Sequence, residues 1–279
     1  MNKRSFKLML ENNKWLKKIP NLLTICNSLC GFAAILYTLH VYDDNKMGTA
    51  ALAVSAWIIM FAMVFDALDG FAARIFNAAS MKGLQMDSLA DMVTFGVAPA
   101  VIVAVMAHRM KEGDNLFTPK DYILIWGVSG VYLGCAALRL ATYNVKAMSP
   151  PKNYDGNYFS GLPSPGGAAA ICSAIIFFHS YGVIKHITYG LPLYAATLGL
   201  LMISNIQYVH VGRWLFSVKR NKKRLFILCA LLAWTAAAPL YAIILIVNFY
   251  IFSGPVMAVL RSIGLISSHG VSAAATSTE

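Results

Sequence analysis

Acidic side chains are scarce in this chain. Only 12 Asp and Glu stand among 279 residues, and charged residues of both signs make up 13%, about half the share of an ordinary soluble domain. Hydrophobic residues reach 58%, leaving too little polar surface to cover a water-facing core, which argues against a soluble globular protein. The formal charge of +11 reflects the acidic shortage as much as basic abundance, so no nucleic-acid partner is expected. Cys26, Cys30, Cys135, Cys172 and Cys229 all lie in apolar runs without a CxxC pair or a Cys/His cluster, and neither a disulfide framework nor a zinc site follows. His40, His108, His179, His186, His210 and His269 include no H-E-x-x-H pair and no obvious triad partner. They read as polar residues near span ends, and Tyr37, Trp57, Trp126, Trp214 and Tyr250 as interface or packing residues. The basic N-terminus precedes an apolar run too long for a signal peptide, with no small-residue cleavage site.

Apolar runs long enough for a bilayer, about 20 residues each, dominate instead. Runs near 20–42, 49–68, 86–108, 121–143, 166–184 and 189–208 precede a long stretch at 225–260, where Pro239 would remove a helix hydrogen bond. Dividing that stretch into 224–237 and 239–260 gives an all-α, polytopic membrane helical bundle of about eight transmembrane helices, within a range of six to eight. Placing the N-terminus in the cytoplasm puts most of the 23 basic residues on the inner side, so both termini are expected there, in an inner or plasma membrane. The segments are a basic N-terminal stretch (1–19), a helical core (20–208), a basic loop with a C-terminal helix pair (209–262) and a tail (263–279) whose Ser/Ala/Thr content suggests disorder. Lys219-Arg220-Asn221-Lys222-Lys223-Arg224 is read as an orientation signal that also attracts anionic headgroups.

Against this background the few acids are concentrated. Asp66 and Asp69 fall on one helix face at the inner end of the second span, and Asp87 and Asp91 on one face at the inner start of the third. A short connection makes the two helices antiparallel neighbours, so the four carboxylates are expected to converge near the cytoplasmic interface. Ionisable groups at such a depth mark functional sites. Oxygen ligands without His or Cys favour Mg²⁺ or Mn²⁺ over zinc, and such a site suits a phosphate-bearing substrate. Gly70 and Ala73 leave room on the Asp66 face, and Arg74 offers a guanidinium suited to phosphate.

The complete spacing, D-x2-D-G-x2-A-R-x8-G-x3-D-x3-D from Asp66 to Asp91, resembles the CDP-alcohol phosphotransferase signature at every specified position. That resemblance implies a membrane helical fold, usually dimeric, that transfers a phosphatidyl or related group from a CDP-linked donor to an alcohol and releases CMP. It further implies that Asp66, Asp69, Asp87 and Asp91 hold the metal, that Asp91 serves as general base, and that Gly70, Ala73, Arg74 and Gly83 face the nucleotide and phosphates. Pro20-Asn21-Leu-Leu-Thr24-Ile-Cys-Asn27, Leu138-Arg139-Leu140-Ala141-Thr142-Tyr143-Asn144, Phe159-Ser160-Gly161-Leu162-Pro163-Ser164-Pro165 and Ser253-Gly254-Pro255 are similar to segments of the phosphatidylserine synthase branch. From these come CDP-diacylglycerol and L-serine as expected substrates, Asn21 and Thr24 on the nucleotide side, and an acceptor pocket at Arg139, Asn144 and Ser164. That branch often has Arg where this chain has Thr142.

Read from the residues alone, Arg139 and Asn144 could equally snorkel and cap at a span end, and Gly161–Pro165 could be a rigid start to a helix. Another acceptor, such as glycerol phosphate or inositol phosphate, would keep the same donor site. A membrane prenyltransferase has Asp-rich motifs usually set far apart. An ion or proton transporter would place its carboxylates nearer the bilayer midplane.

Overall fold

The computed structural model describes residues 15–42, 48–78, 80–111, 119–148, 158–182, 190–209 and 238–263. Helix α1 (Ile19–Thr38) is extended by 3-10 turns at Leu16–Lys18 and Leu39–Tyr42. Helix α2 spans Gly48–Ile75, and α3 (Met81–Asp91) runs through a π-helical segment (Met92–Val97) into α4 (Ala98–Lys111). Helices α5 (Pro119–Met148), α6 (Ser164–Ser180), α7 (Gly190–Ile203) and α8 (Pro239–Ser262) follow among the described residues. Strands β1 (Tyr158–Ser160) and β2 (Gln207–Val209) pair antiparallel, with Phe159 opposite Tyr208.

Among the described residues, five segments are long and apolar enough to cross a membrane: Leu16–Tyr42, Ala50–Ile75, Met81–His108, Ile123–Met148 and Pro239–Ser262. The polytopic all-α bundle is therefore as expected, with two differences in detail. The spans read at 166–184 and 189–208 form helices of only 17 and 14 residues, about 25 and 21 Å long against a hydrocarbon core of roughly 30 Å. Gly182, at φ +69°, follows the end of α6, and beyond Ile203 the chain turns to place β2 beside β1. The helix expected at 224–237 lies outside the described residues, as do the run at 219–224, Cys229, His186, His210, His269, Trp214, most of the basic N-terminal stretch and most of the tail.

The second span also runs past its acids. Asp66 and Asp69 do not interrupt α2, which continues through the helix-favouring Ala72-Ala73-Arg74 to Ile75. Asn77 then takes φ 51°, and Ala78 N–H donates to Ala73 O at 3.0 Å, a left-handed helix stop of the kind that Asn tolerates. Ser80 opens α3 by accepting Gly83 N–H on its hydroxyl at 3.0 Å. The two caps hold the connection between the helices that carry the acidic pairs to a few residues.

The core is built from small and branched side chains, including Ala34, Ala56, Ile59, Ile102, Ala168, Ile171, Ile175 and Leu198. Cys135 and Cys172 pack in the interior as small apolar groups. Helix α1 lies along α2 in the most extensive helix pairing, while α5 packs on α7 and α6 on both α2 and α8. The π-helical segment is central: Thr94, Phe95 and Gly96 are buried, and Tyr132 of α5 donates its hydroxyl to Phe95 O at 2.8 Å. On α1, Gly31 admits this segment, because a Cβ there would meet Thr94 Oγ1 at 2.5 Å and Thr94 Cα at 2.7 Å.

At the other edge, α8 docks on β2. Pro255 has no N–H for the carbonyl of Ile251 four residues earlier, and that oxygen accepts the Tyr208 hydroxyl at 3.2 Å instead. Gly254 makes room for the Tyr208 ring.

Gly31→Val tests the closeness of α1 to the π-helical segment. The added side chain should destabilise the bundle by about 1–3 kcal/mol through overpacking, read as a lower midpoint of thermal unfolding in detergent, whereas Gly127→Val on α5, where a Cβ meets nothing within 4 Å, should leave the midpoint nearly unchanged.

Candidate active site at the carboxylate cluster

The four acids converge as their spacing requires. One oxygen from each of Asp66, Asp69 and Asp87 lies within 4.8 Å of the others, and Asp91 sits beside Asp66 within electrostatic reach of all three. Asp69 is 5% exposed, so this is not a solvated acidic face. Helices α2 and α3 make little backbone contact with each other, however, and α1 packs against both. The expectation of antiparallel neighbours is thus modified: the helices stand apart across their carboxylates, and α1 braces the pair.

Helix α1 reaches the cluster through a polar stripe set three residues apart. Thr24 donates its hydroxyl to Asp69 Oδ2 at 2.8 Å, and Asn27 donates Nδ2 to Asp91 Oδ1 at 3.2 Å. The Asn21 Oδ1 atom lies 3.7 Å from where a Cβ on Gly83 would be. Thr24 therefore meets a carboxylate of the expected metal set, and Asn21 borders the start of α3. Gly83 is confined by its own cap, since a Cβ would also stand 3.1 Å from Ser80 Oγ. Gly70 is open by contrast: a Cβ there would have only Arg74 Nη2 nearby, at 3.9 Å. Arg74 is exposed and donates Nε to Gly70 O at 2.9 Å, and Ala73 is half-buried one turn beyond Asp69.

The acceptor-side residues are divided. Asn144 on α5 accepts the Ser88 hydroxyl at 2.7 Å, which ties it to α3 at the residue following Asp87. Arg139 lies about 7.5 Å earlier along the same helix and points Nη1 at two backbone carbonyls, Ser160 O at 3.1 Å and Met202 O at 3.2 Å. It ties the end of α5 to β1 and to the last turn of α7. Gly161, at φ +79°, follows β1 against the same Met202 carbonyl, a backbone position that only glycine adopts without strain. Ser164 opens α6, 2% exposed, with no partner for its hydroxyl among the described residues. Pro163 caps that helix and Pro165 sits in its first turn, so the expected rigid start is present.

Asn27, Ser88 and Thr94 contribute contacts that the acidic motif does not announce. The sequence signal for Asn27 is its place after Asn21 and Thr24 in an apolar run, at a repeat that keeps successive polar groups near one helix face.

The donor set suits a hard divalent cation. Among the described residues, the groups acting on these carboxylates are one another, Thr24, Asn27 and the Gly70 backbone, with no lysine or arginine. Asp87 Oδ1 is buried without a hydrogen-bond partner among the described residues. Clustered negative charge with an unsatisfied buried oxygen is costly unless a cation supplies the missing interaction.

Comparison with known proteins agrees with this arrangement. The chain is 27% identical over 255 residues to a CDP-diacylglycerol--serine O-phosphatidyltransferase of Helicobacter pylori (strain J99 / ATCC 700824), covering 91% of this chain and 96% of that protein. The protein of the same description from Bacillus subtilis (strain 168) is 32% identical over 206 residues, covering 70% of this chain and 98% of its own length. An archaetidylserine synthase of Methanothermobacter thermautotrophicus is 29% identical over 195 residues, covering 69% and 70%. A family model described as CDP-alcohol phosphatidyltransferase matches residues 17–218, a stretch containing α1 through β2 and all four converging aspartates. By that match and by the cluster it encloses, the chain belongs to the CDP-alcohol phosphatidyltransferase family.

Proposed function

We propose that this enzyme transfers the phosphatidyl group of CDP-diacylglycerol to the hydroxyl of L-serine, releasing CMP by direct displacement at the carboxylate cluster. The observation that carries the reading is the approach of Asp66, Asp69 and Asp87 to within 4.8 Å, with Asp91 held alongside. Serine is favoured as acceptor because it is shared by the names of relatives whose lipid portions differ, phosphatidyl and archaetidyl.

In this reading Asp66, Asp69, Asp87 and Asp91 hold Mg²⁺ or Mn²⁺. Such a cation, when bound, offsets charge on the donor diphosphate and on the attacking and leaving oxygens. Asn21, Thr24, Gly70, Ala73, Arg74 and Gly83 form the nucleotide and phosphate side, Thr24 doing so through Asp69. Gly70 leaves the backbone approachable, and Arg74 has guanidinium nitrogens beyond the Nε that binds Gly70 O. Asn144 and Ser164 belong to the acceptor side, and Arg139 shapes it by fixing β1 and α7.

Asp91 accepts the proton of the seryl hydroxyl. The freed electron pair forms the new oxygen–phosphorus bond at the phosphorus carrying diacylglycerol, and the bond to CMP breaks with its electron pair leaving on the CMP oxygen. Asp91 then returns its proton to water. No covalent enzyme intermediate is needed, and the paired His-x-Lys motifs of a phosphatidyl-histidine route are absent from the sequence. Lys17, Lys18, Arg74, Lys82 and Lys146 flank the helix ends nearest the carboxylates. That charge bias supports a cytoplasmic active site with both termini inside. A homodimer completes the proposal, placing part of the exposed apolar surface against a second copy.

Purified protein in detergent, given CDP-diacylglycerol and Mn²⁺, should release CMP with L-serine and not with glycerol phosphate or inositol phosphate. Release with one of the latter alone would reassign the acceptor, and the absence of release with all three would remove the transferase reading. Asp91→Asn should reduce turnover by roughly 10²-fold or more while donor binding is largely kept. Thr24→Val, nearly isosteric, deprives Asp69 of its hydroxyl donor and should weaken Mn²⁺ binding on the order of tenfold, measured as free Mn²⁺ by electron paramagnetic resonance.

A further inference from the structure

Asn27 is completely buried on α1, and its amide is used unequally. The Nδ2 group donates to Asp91 Oδ1 at 3.2 Å, while Oδ1 is buried with no hydrogen-bond partner among the described residues. A residue that only filled space would not be expected to leave an oxygen in that state, since an unpaired buried carbonyl destabilises a fold that an apolar side chain of similar size would not.

The backbone grips the same place. Thr94 donates its hydroxyl to Asn27 O at 2.9 Å, and Thr94 lies in the π-helical segment that begins directly after Asp91. Gly31, one turn beyond Asn27, permits that approach. Helix α1 consequently holds Asp91 by its side chain through the Asn27 amide, and holds the backbone just beyond it through Thr94.

We infer that Asn27 is a positioning residue for Asp91: by donating to Oδ1 it fixes the plane of the carboxylate that meets the acceptor hydroxyl. This rests on the reading of Asp91 as the base. Positioning of this kind acts mainly on turnover, because a base displaced by about 1 Å loses reactivity on the order of 10²-fold, while Asp66, Asp69 and Asp87, the three acids that approach one another most closely, stay in place on the donor side.

The test uses the full-length protein in lipid nanodiscs, with CMP release followed against both substrates and binding of radiolabelled CDP-diacylglycerol measured separately. Asn27→Leu should lower kcat on the order of 10–100-fold, with KM for L-serine and the dissociation constant for CDP-diacylglycerol within about twofold of wild type. Asn27→Gln, which keeps a carboxamide donor on a longer arm, should recover part of the lost turnover. Wild-type kcat in Asn27→Leu overturns the proposal. So does loss of donor binding and turnover together in both variants, the result of a purely structural role. An Asp91→Asn variant with normal turnover is a different outcome, since it removes the base itself rather than its support.

Discussion

Mutual repulsion among four carboxylates drawn into an apolar bundle is the constraint on which the site depends. Asp66, Asp69, Asp87 and Asp91 stand within reach of one another and lack a lysine or arginine neighbour among the described residues. Left alone, such a group pushes its own helices apart. The fold opposes that push with covalent brevity, through the capped turn from Asn77 to Ser80, and with a third helix laid against the two that carry the acids. The arrangement is held ready for positive charge, and the same geometry suits a diphosphate brought to it.

Helix α1 therefore has two tasks. Its apolar face builds the bundle with α2, and its polar stripe supplies donors to Asp69 and Asp91. The π-helical segment makes the second task compatible with the first. It comes directly after Asp91, turns Thr94 toward α1 and Phe95 O toward Tyr132, and so anchors the carboxylate-bearing rod on two sides. A regular helix through Met92–Val97 would present those groups at a different angle.

Much of this is legible in the residues. The spacing of Asp66, Asp69, Asp87 and Asp91 is enough to put each pair on one face, and the short connection between pairs is enough to bring them together. Hydropathy gives the bundle. The limits have physical causes. Asp66 and Asp69 look like the end of a span because charge is costly in lipid, whereas a helix can pass from hydrocarbon to headgroups without a break. Neither strand is visible beforehand, because three-residue segments such as Gln207–Val209 are too short to show alternation. Arg139 reads either as a substrate group or as a snorkelling side chain at a span end, and nothing local in the sequence reveals that β1 and the end of α7, whose Ser160 and Met202 carbonyls it binds, lie beside it. Asn27 stands out as a polar residue in an apolar run, yet its partner is 64 residues away.

The docking of α8 lies at the margin of the family segment, which ends at residue 218 while α8 begins at Pro239. Tyr208, inside the segment, satisfies the carbonyl that Pro255, outside it, leaves free, and Gly254 gives its ring space. These three positions form a linked set. Drift at any one leaves the other two mismatched, so the C-terminal helix is tied to its particular hairpin, and grafting it onto a relative with a different residue at the Tyr208 position would join two surfaces that do not fit.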